Sequence, residues 1–121
     1  MGAAMNGRVP TDERGPKGTT AEDLTSILAV RVMKWGIAPD RFVLEGRRWL
    51  PRWRFRPVER IEDAFRLLEA LDPEEYDMRG RGTDDFWVRV LLHNGASGEA
   101  SDKSRARAIT YAVARAIGDA T

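Results

Sequence analysis

The residue types best suited to binding chemistry lie in one short run, Arg47 to Arg56, in which arginines alternate with aromatic side chains. Residues 41–60 hold seven arginines and two glutamates, a local net charge of +5 in a chain whose net charge is +1. Guanidinium groups bind phosphates and carboxylates, and exposed aromatic rings stack on nucleobases. The candidate site for a nucleic acid, a nucleotide or a small anionic ligand consists of Arg48, Arg52, Trp53, Arg54 and Arg56.

Strand geometry gives the same run a structural interpretation. Successive side chains of a strand point to opposite faces, so the even-numbered arginines would share one face and Trp49, Trp53 and Phe55 the other. The alternation then predicts a buried aromatic face and a solvated arginine face. A platform that stacks nucleobases would instead need the aromatic and arginine side chains on the same exposed surface. A protein interface is the third interpretation, because tryptophan and arginine are enriched at interface hot spots.

An acidic stretch balances this basic run. Residues 62–85 contain nine acidic side chains and three arginines, a net charge of −6. Opposite patches of this kind pair within one fold or between two copies, so a homodimer is an alternative to a monomer. A solvated acidic face is the simpler interpretation.

Catalytic chemistry has few candidate residues. His93 is the only histidine, and no orienting partner or nucleophile can be assigned to it from spacing, so we predict a histidine in an exposed turn. Asp84 and Asp85 are too few ligands for a hard cation. A hydrolase or transferase using His93 with Asp84 or Asp85 remains the enzyme hypothesis. No glycine pattern, zinc spacing or EF-hand spacing predicts a cofactor or a metal.

Composition indicates the class of protein. The chain has 121 residues, 42% hydrophobic and 32% charged, which predicts a single soluble domain. The absence of cysteine excludes disulfides and thiol nucleophiles. No apolar run is long enough to span a bilayer, so we predict a cytoplasmic protein without a membrane partner. The composition of residues 1–19 predicts a flexible tail, because this segment is rich in glycine, proline and charged residues and has almost no large apolar side chain to bury. Residues 20–118 form the predicted domain.

Hydrophobic periodicity predicts three helices. The first begins at Thr20, a capping residue, and ends at Gly36. The second spans Val58 to Leu71, and its apolar face comprises Ile61, Ala64, Phe65, Leu68 and Leu71. The third follows a cap at Ser101 or Asp102, is rich in alanine and ends at Gly118.

Alternating patterns predict the strands. A hairpin over residues 41–55 turns at Glu45-Gly46, and Pro51 places its second strand at a sheet edge. Further strands cover residues 76–81, 86–92 and 96–100. The Asn94-Gly95 dipeptide between the last two predicts a type I′ turn.

Three short motifs resemble the phage ABA sandwich domain family. The segment LAVRVMKW, Leu28 to Trp35, is similar to the family's first helix, which ends in a Val-Met-x-Trp pattern. Asp63-Ala64-Phe65 followed by two leucines is similar to its second helix. Glu99-Ala100 leading to Ala108-Ile109 is similar to its closing segment. Together the motifs extend over roughly residues 24–117.

The chain departs from the family pattern in two places. Arg56-Pro57-Val58 replaces the family's Ser-Thr-Asp start of the second helix, and the first hairpin is far richer in arginine. The resemblance implies a helix, sheet, helix sandwich of phage or prophage origin, and it implies no established catalytic chemistry.

These inferences combine into one expectation. We predict an α+β domain, a three-layer helix, antiparallel sheet, helix sandwich with the order α-ββ-α-βββ-α. Its expected function is that of a non-catalytic module that binds a host protein or a small anionic ligand, with nucleic-acid binding through residues 47–56 as the alternative. The residues predicted to lie in or near the core are Trp35, Phe42, Trp53, Ile61, Phe65, Leu68, Phe86, Val88, Val90, Ile109 and Val113.

Overall fold

Three helices and two antiparallel three-stranded sheets make up the computed structural model, which describes residues 20–118. The helices are α1 (Ala21–Arg31), α2 (Ile61–Leu71) and α3 (Arg105–Ala116). The first sheet contains β1 (Gly36–Ala38), β2 (Arg41–Val43) and β3 (Trp49–Pro51), and the second contains β4 (Glu75–Gly80), β5 (Phe86–Leu91) and β6 (Ser97–Asp102). The α+β class and the predicted order of elements are confirmed, and β1 is an additional short strand that precedes the first hairpin. The tail predicted over residues 1–19 lies outside the described residues.

The first helix is shorter than its apolar pattern predicts. The Thr20 hydroxyl caps it as predicted, accepting a hydrogen bond from the Asp23 amide at 3.1 Å. It ends at Arg31 instead of Gly36, because the chain turns away at Lys34, whose φ is 64°. The turn carries Trp35 onto Phe42 and Phe55, with ring centroids 5.7 and 5.0 Å away. Burial of this aromatic cluster outweighs continuation of the helix.

The second helix begins at Ile61, three residues later than predicted. Residues 56–60 form a separate turn, and the buried Asp63 carboxylate accepts a hydrogen bond from the Arg56 amide at 2.9 Å. The face turned to the core contains Ala64, Leu67 and Leu68. The placement of Phe65 in the core is wrong, because its side chain is 36% exposed.

The third helix lies directly on the second sheet. It packs against β5 and β6 and against α2, and nine of its twelve residues are buried. Its cap is Ser104, whose hydroxyl accepts from the Arg107 amide at 3.2 Å, so the predicted caps Ser101 and Asp102 are wrong. The Asp102 carboxylate instead accepts from the Ser104 amide and pairs with Arg107. Gly118 closes the helix with a φ of 80°, as expected.

The β5–β6 hairpin is confirmed, but its turn is of another type. The Leu92 amide donates to the Ala96 carbonyl at 2.8 Å, and the Gly95 amide donates to the Leu92 carbonyl at 3.0 Å. These bonds enclose a three-residue loop. Gly95 has a φ of 91°, whereas Asn94 lacks the positive φ that a type I′ turn requires. The loop is therefore a type I turn followed by a left-handed glycine.

The core joins all three helices and both sheets. Of the predicted core residues, Trp53 and Phe65 are exposed, and three others are partly buried at the margin of the core: Trp35, Ile61 and Phe86. These three side chains pack against the core, which confirms their predicted place near it. The residues confirmed inside the core are Phe42, Leu68, Val88, Val90, Ile109 and Val113. None of the helices within residues 20–118 has the length and apolar character of a bilayer-spanning segment.

One buried hydrogen bond connects α3 to the turn before α2. Thr110 is fully buried, and its hydroxyl donates to the Pro57 carbonyl at 2.8 Å. We expect Thr110→Val to lower the free energy of unfolding by about 1 to 3 kcal/mol, because the buried carbonyl loses its donor while the side-chain shape is kept. Urea denaturation measures this loss.

Thr25→Val is the matched control for this prediction. The Thr25 hydroxyl donates to the Ala21 carbonyl at 2.9 Å, within α1 itself. That carbonyl also accepts the regular helix hydrogen bond, so removal of the hydroxyl should change stability little. Equal losses for the two variants would contradict the role assigned to Thr110.

Candidate functional site

The predicted β-alternation of the arginine and aromatic run stops at Pro51. Pro51 ends β3, and residues Arg52–Arg54 form a short 3₁₀ helix. Proline has no amide to continue a ladder, and a 3₁₀ helix rotates each residue by about 120° instead of the 180° of a strand. The aromatic side chains that would share one strand face therefore separate, and Phe55 alone is fully buried.

The two tryptophans of this run are exposed. Trp53 is 64% exposed and Trp49 is 53% exposed, so the prediction that they form a buried face with Phe55 is wrong. The Arg54 guanidinium carbon lies 5.6 Å from the centroid of the Trp53 ring, and that of Arg41 lies 4.6 Å from the Trp49 centroid. Each exposed indole ring thus has an arginine beside it, and the four residues Arg41, Trp49, Trp53 and Arg54 are together called here the tryptophan surface.

Arg52 points in a different direction and binds within the fold. Its guanidinium donates to the Ala38 carbonyl at 3.2 Å and to the Ser26 hydroxyl, and it lies 5.0 Å from the centroid of the Phe42 ring. These contacts tie the end of the hairpin to α1. The guanidinium that sequence analysis assigned to an external anion is therefore largely used to hold the fold together.

The remaining predicted arginines have local partners. Arg56 forms an ion pair with Glu59 at 2.7 Å, and the Arg48 guanidinium donates to the Glu45 carbonyl at 3.3 Å. Both side chains are exposed, so these contacts hold them only weakly. Arg41, which lies outside the predicted site, pairs with Asp40 at 2.9 Å, and its hydrogen bond lowers the pKa of the Asp40 carboxyl below its usual value.

A groove of about 680 Å³ lies between the start of α1, the β1–β2 turn and residues 52–59. Its floor is apolar, because Phe42 and Phe55 reach it from the core, and Trp53 stands at its margin. Its charged walls are mixed, with two arginines facing three carboxylates. The charged lining residues are Glu22, Asp40, Arg52, Arg56 and Glu59. A groove of this composition suits a ligand that carries both apolar and polar groups.

The residues of the enzyme hypothesis are not brought together. Asp84 and Asp85 precede β5 and His93 follows it, so six strand residues separate them, about 20 Å of extended chain. His93 is exposed, as predicted for a turn residue, and its Nδ1 atom lies 4.0 Å from a Glu74 carboxylate oxygen. Within residues 20–118, no group of three or more His, Asp or Glu side chains is placed to hold a metal ion.

Sequence reasoning missed the groove and the internal role of Arg52. The groove depends on contacts between segments far apart in the chain, such as Ser26 with Arg52, and no local pattern signals them. One signal was available in the sequence. Pro51 could have been taken as the end of the strand, which would have predicted that Trp53 leaves the aromatic face.

Together, these features define an α+β sandwich-like domain with two exposed tryptophans, one of which, Trp53, lies at the margin of a groove. The sequence profile of the Phage ABA sandwich domain matches residues 26–113, which is most of the chain, and the protein belongs to this family. A crystal structure of a phage protein from Bacillus cereus ATCC 14579 has a similar fold. The TM-score is 0.64 at 17% sequence identity, over 82% of this chain and 88% of the other. Comparison with curated proteins found no match.

Proposed function

We propose that this phage-type domain is a non-catalytic binding module that holds a segment of a partner protein in the groove beside Trp53. The observation that carries the proposal is the exposure of Trp53 at the margin of an open groove whose floor includes the rings of Phe42 and Phe55. An exposed indole ring leaves a large apolar surface in contact with water. Tryptophan and arginine are enriched among the residues that supply most of the binding energy at protein interfaces. Trp53 would be the anchor of the bound segment.

The charges around the groove favour a protein segment over a small anion. Arg52 donates its guanidinium hydrogen bonds inside the fold, and the positive charge of Arg56 is offset by the adjacent carboxylate of Glu59. Three carboxylates also face the groove, which would repel a phosphate or a free carboxylate. A peptide segment carries backbone donors and acceptors as well as apolar side chains, so it matches both the charged walls and the apolar floor.

Trp53→Ala separates binding from stability. Because Trp53 is mostly exposed, we expect the melting temperature to change by no more than a few degrees, which corresponds to about 0.5 kcal/mol. The affinity for the bound peptide should fall at least tenfold, since truncation of an anchoring tryptophan makes the free energy of binding less favourable by about 2 kcal/mol or more. The probe is a set of linear peptides selected from a random displayed library on the immobilised wild-type chain.

Val30→Ala serves as the control for this experiment. Val30 is an exposed apolar residue of α1 and does not line the groove, so its truncation should leave both peptide affinity and melting unchanged. Selection of no binding peptide, or of peptides that bind Trp53→Ala as tightly as the wild type, would count against the proposed groove.

Binding of single-stranded nucleic acid is the second candidate. It is favoured by one observation, the placement of Arg54 against the exposed Trp53 ring, which joins a stacking face to a cation. If Arg47, Arg48 and Arg54 each contact a phosphate, affinity for a fluorescent oligothymidylate should fall roughly 20-fold between about 50 and 200 mM salt. A flat salt dependence, or an unchanged affinity of Arg54→Ser, would exclude this mode.

A further inference from the structure

We propose that two copies of this chain pair through β4, antiparallel and in a single register, to form a continuous six-stranded sheet. The surface lies on the second sheet and does not depend on the binding function proposed above. Within the described chain, β4 pairs with β5 alone, and five of its six residues are exposed. An open edge strand of this length presents unpaired amides and carbonyls and is a template for pairing with another strand.

The hydrogen-bond pattern fixes which residues of β4 face outward. The Arg81 amide donates to the Asp85 carbonyl at 2.8 Å, so Arg81 directs its backbone groups toward β5. Backbone groups alternate in direction along an antiparallel strand. Asp77 and Arg79 therefore also bond inward, and the amides and carbonyls of Tyr76, Met78 and Gly80 point away from the sheet.

The sequence of this edge is self-complementary about Met78. In the chain segment Glu-Tyr-Asp-Met-Arg-Gly-Arg, residues 75–81, each acidic residue has an arginine at the same distance on the other side of Met78. When Met78 lies opposite its own copy, Asp77 faces Arg79 of the second copy and Glu75 faces Arg81. Twofold symmetry repeats both pairs, so the interface contains four opposite-charge pairs.

Hydrogen-bond direction and charge select this same register. The outward-facing residues Tyr76, Met78 and Gly80 meet one another as hydrogen-bonded pairs, while the charged residues form the non-hydrogen-bonded pairs in which side chains lie closest. A shift by one residue would oppose an outward residue to an inward one. A shift by two residues would oppose Asp77 to Asp77, or Arg79 to Arg79 in the other direction, and like charges directly opposite destabilise a sheet.

A cleft beside Gly80 accommodates the remaining exposed side chain. In the proposed register Tyr76, which is 52% exposed, lies opposite Gly80 of the second copy. A cleft of about 260 Å³ opens there, lined in part by Phe65, Met78, Gly80 and Phe86. Arg79 and Arg105 also line this cleft. The tyrosine ring of one copy would cover the side-chain-free glycine and the apolar part of the cleft of the other, which also gives the exposed Phe65 a partner.

Cysteine cross-linking of the full chain tests the register directly, because the protein has no cysteine of its own. In the proposed dimer the two Met78 Cα atoms are about 5.5 Å apart, within the range that a disulfide spans. The two Asp77 positions are diagonal neighbours, about 7 to 8 Å apart, which a disulfide cannot bridge without backbone movement. Under oxidised glutathione, Met78→Cys should form a covalent dimer and Asp77→Cys should not. No cross-link, or equal cross-linking of both variants, would overturn the proposal.

Charge reversal provides an independent test by sedimentation equilibrium at concentrations up to about 1 mM, the weak end of specific association. Glu75→Arg turns two attractive pairs into repulsive ones and should raise the dimer dissociation constant about tenfold. The added change Arg81→Glu restores opposite charges and should recover the dimer. Asp84→Arg, the same charge change in the β4–β5 turn, is the control, and melting curves verify that each variant folds. A monomeric wild type, or a dimer unaffected by Glu75→Arg, would contradict pairing through β4.

Discussion

Replacing Gly98 by alanine should lower the free energy of unfolding by about 3 kcal/mol or more, the upper part of the range for overpacked positions. Gly98 lies in β6 beneath α3, and a Cβ atom there would come closer than 3.0 Å to backbone atoms of Ala112, Arg115 and Ala116. Backbone atoms cannot rotate away as a side chain does, so α3 would have to separate from the sheet. Urea denaturation followed by circular dichroism measures the loss.

Gly36→Ala is the matched control for Gly98→Ala. Gly36 also lies in a strand, and a Cβ atom there would meet the Val43 Cβ atom at 3.6 Å, an ordinary contact. The methyl group restricts the unfolded chain, so this variant should be neutral or more stable by up to about 1 kcal/mol. Similar losses for both variants would show that the helix does not lie as close to β6 as described.

Phe55→Ala should produce the second large loss, about 3 to 5 kcal/mol, through the cavity that it leaves in the core. Phe55 is fully buried, and its ring packs edge-on against Trp35 and Phe42, with centroids 5.0 and 6.0 Å away. The three rings join the end of α1 to the first sheet and to the segment before α2. Urea denaturation followed by circular dichroism measures the loss.

Trp53→Ala is the comparison for Phe55→Ala, because the two aromatic residues are only two positions apart. The alternating pattern assigns both to one buried face, whereas the structure buries Phe55 and exposes Trp53. A loss of stability confined to Phe55→Ala would support the 3₁₀ helix at Arg52–Arg54, which turns Trp53 away from the face of Phe55. Comparable losses would instead favour a continuous strand through residue 55.

Elements held by regular periodicity could be predicted from the sequence. The alternation of Val88 and Val90 predicts β5, and both side chains are buried against the core. The apolar repeat of α2 predicts its existence and its end at Leu71. The small residues of β6 look unfavourable for a strand, yet the structure explains them, because α3 packs so closely that Gly98 and Ala100 leave it room.

Features that depend on tertiary packing could not be predicted. Trp35 continues the helical spacing of α1 in the sequence. Packing of its ring against Phe42 and Phe55 stabilises the fold more than continuation of the helix to Trp35 would. The start of α2 is likewise set by Asp63, which accepts a hydrogen bond from Arg56 seven residues earlier. Local propensity is a weak guide wherever a large side chain or a buried carboxylate decides the path.

The candidate site was predicted in composition but not in geometry. The sequence indicates that residues 47–56 are rich in arginine and tryptophan, and the structure exposes Trp53 beside Arg54. The role of Arg52 depends on long-range partners. Arg52 is held by Ser26 and Ala38, which lie 26 and 14 residues away, so its internal role could not be read from its neighbours.

The division of the strands into two separate sheets has a consequence for amide hydrogen exchange. Strands β1, β2 and β3 have three residues each and are not joined by the ladder that links β4 to β6. The first sheet can therefore open locally while the second stays closed, and its amides should exchange sooner than those of β5. Arg41 and Trp49 of the tryptophan surface lie on this first sheet, and Trp53 and Arg54 follow directly after its last strand. A bound partner would thus slow amide exchange in the first sheet selectively. The observed affinity would be lowered by the free energy needed to order this sheet.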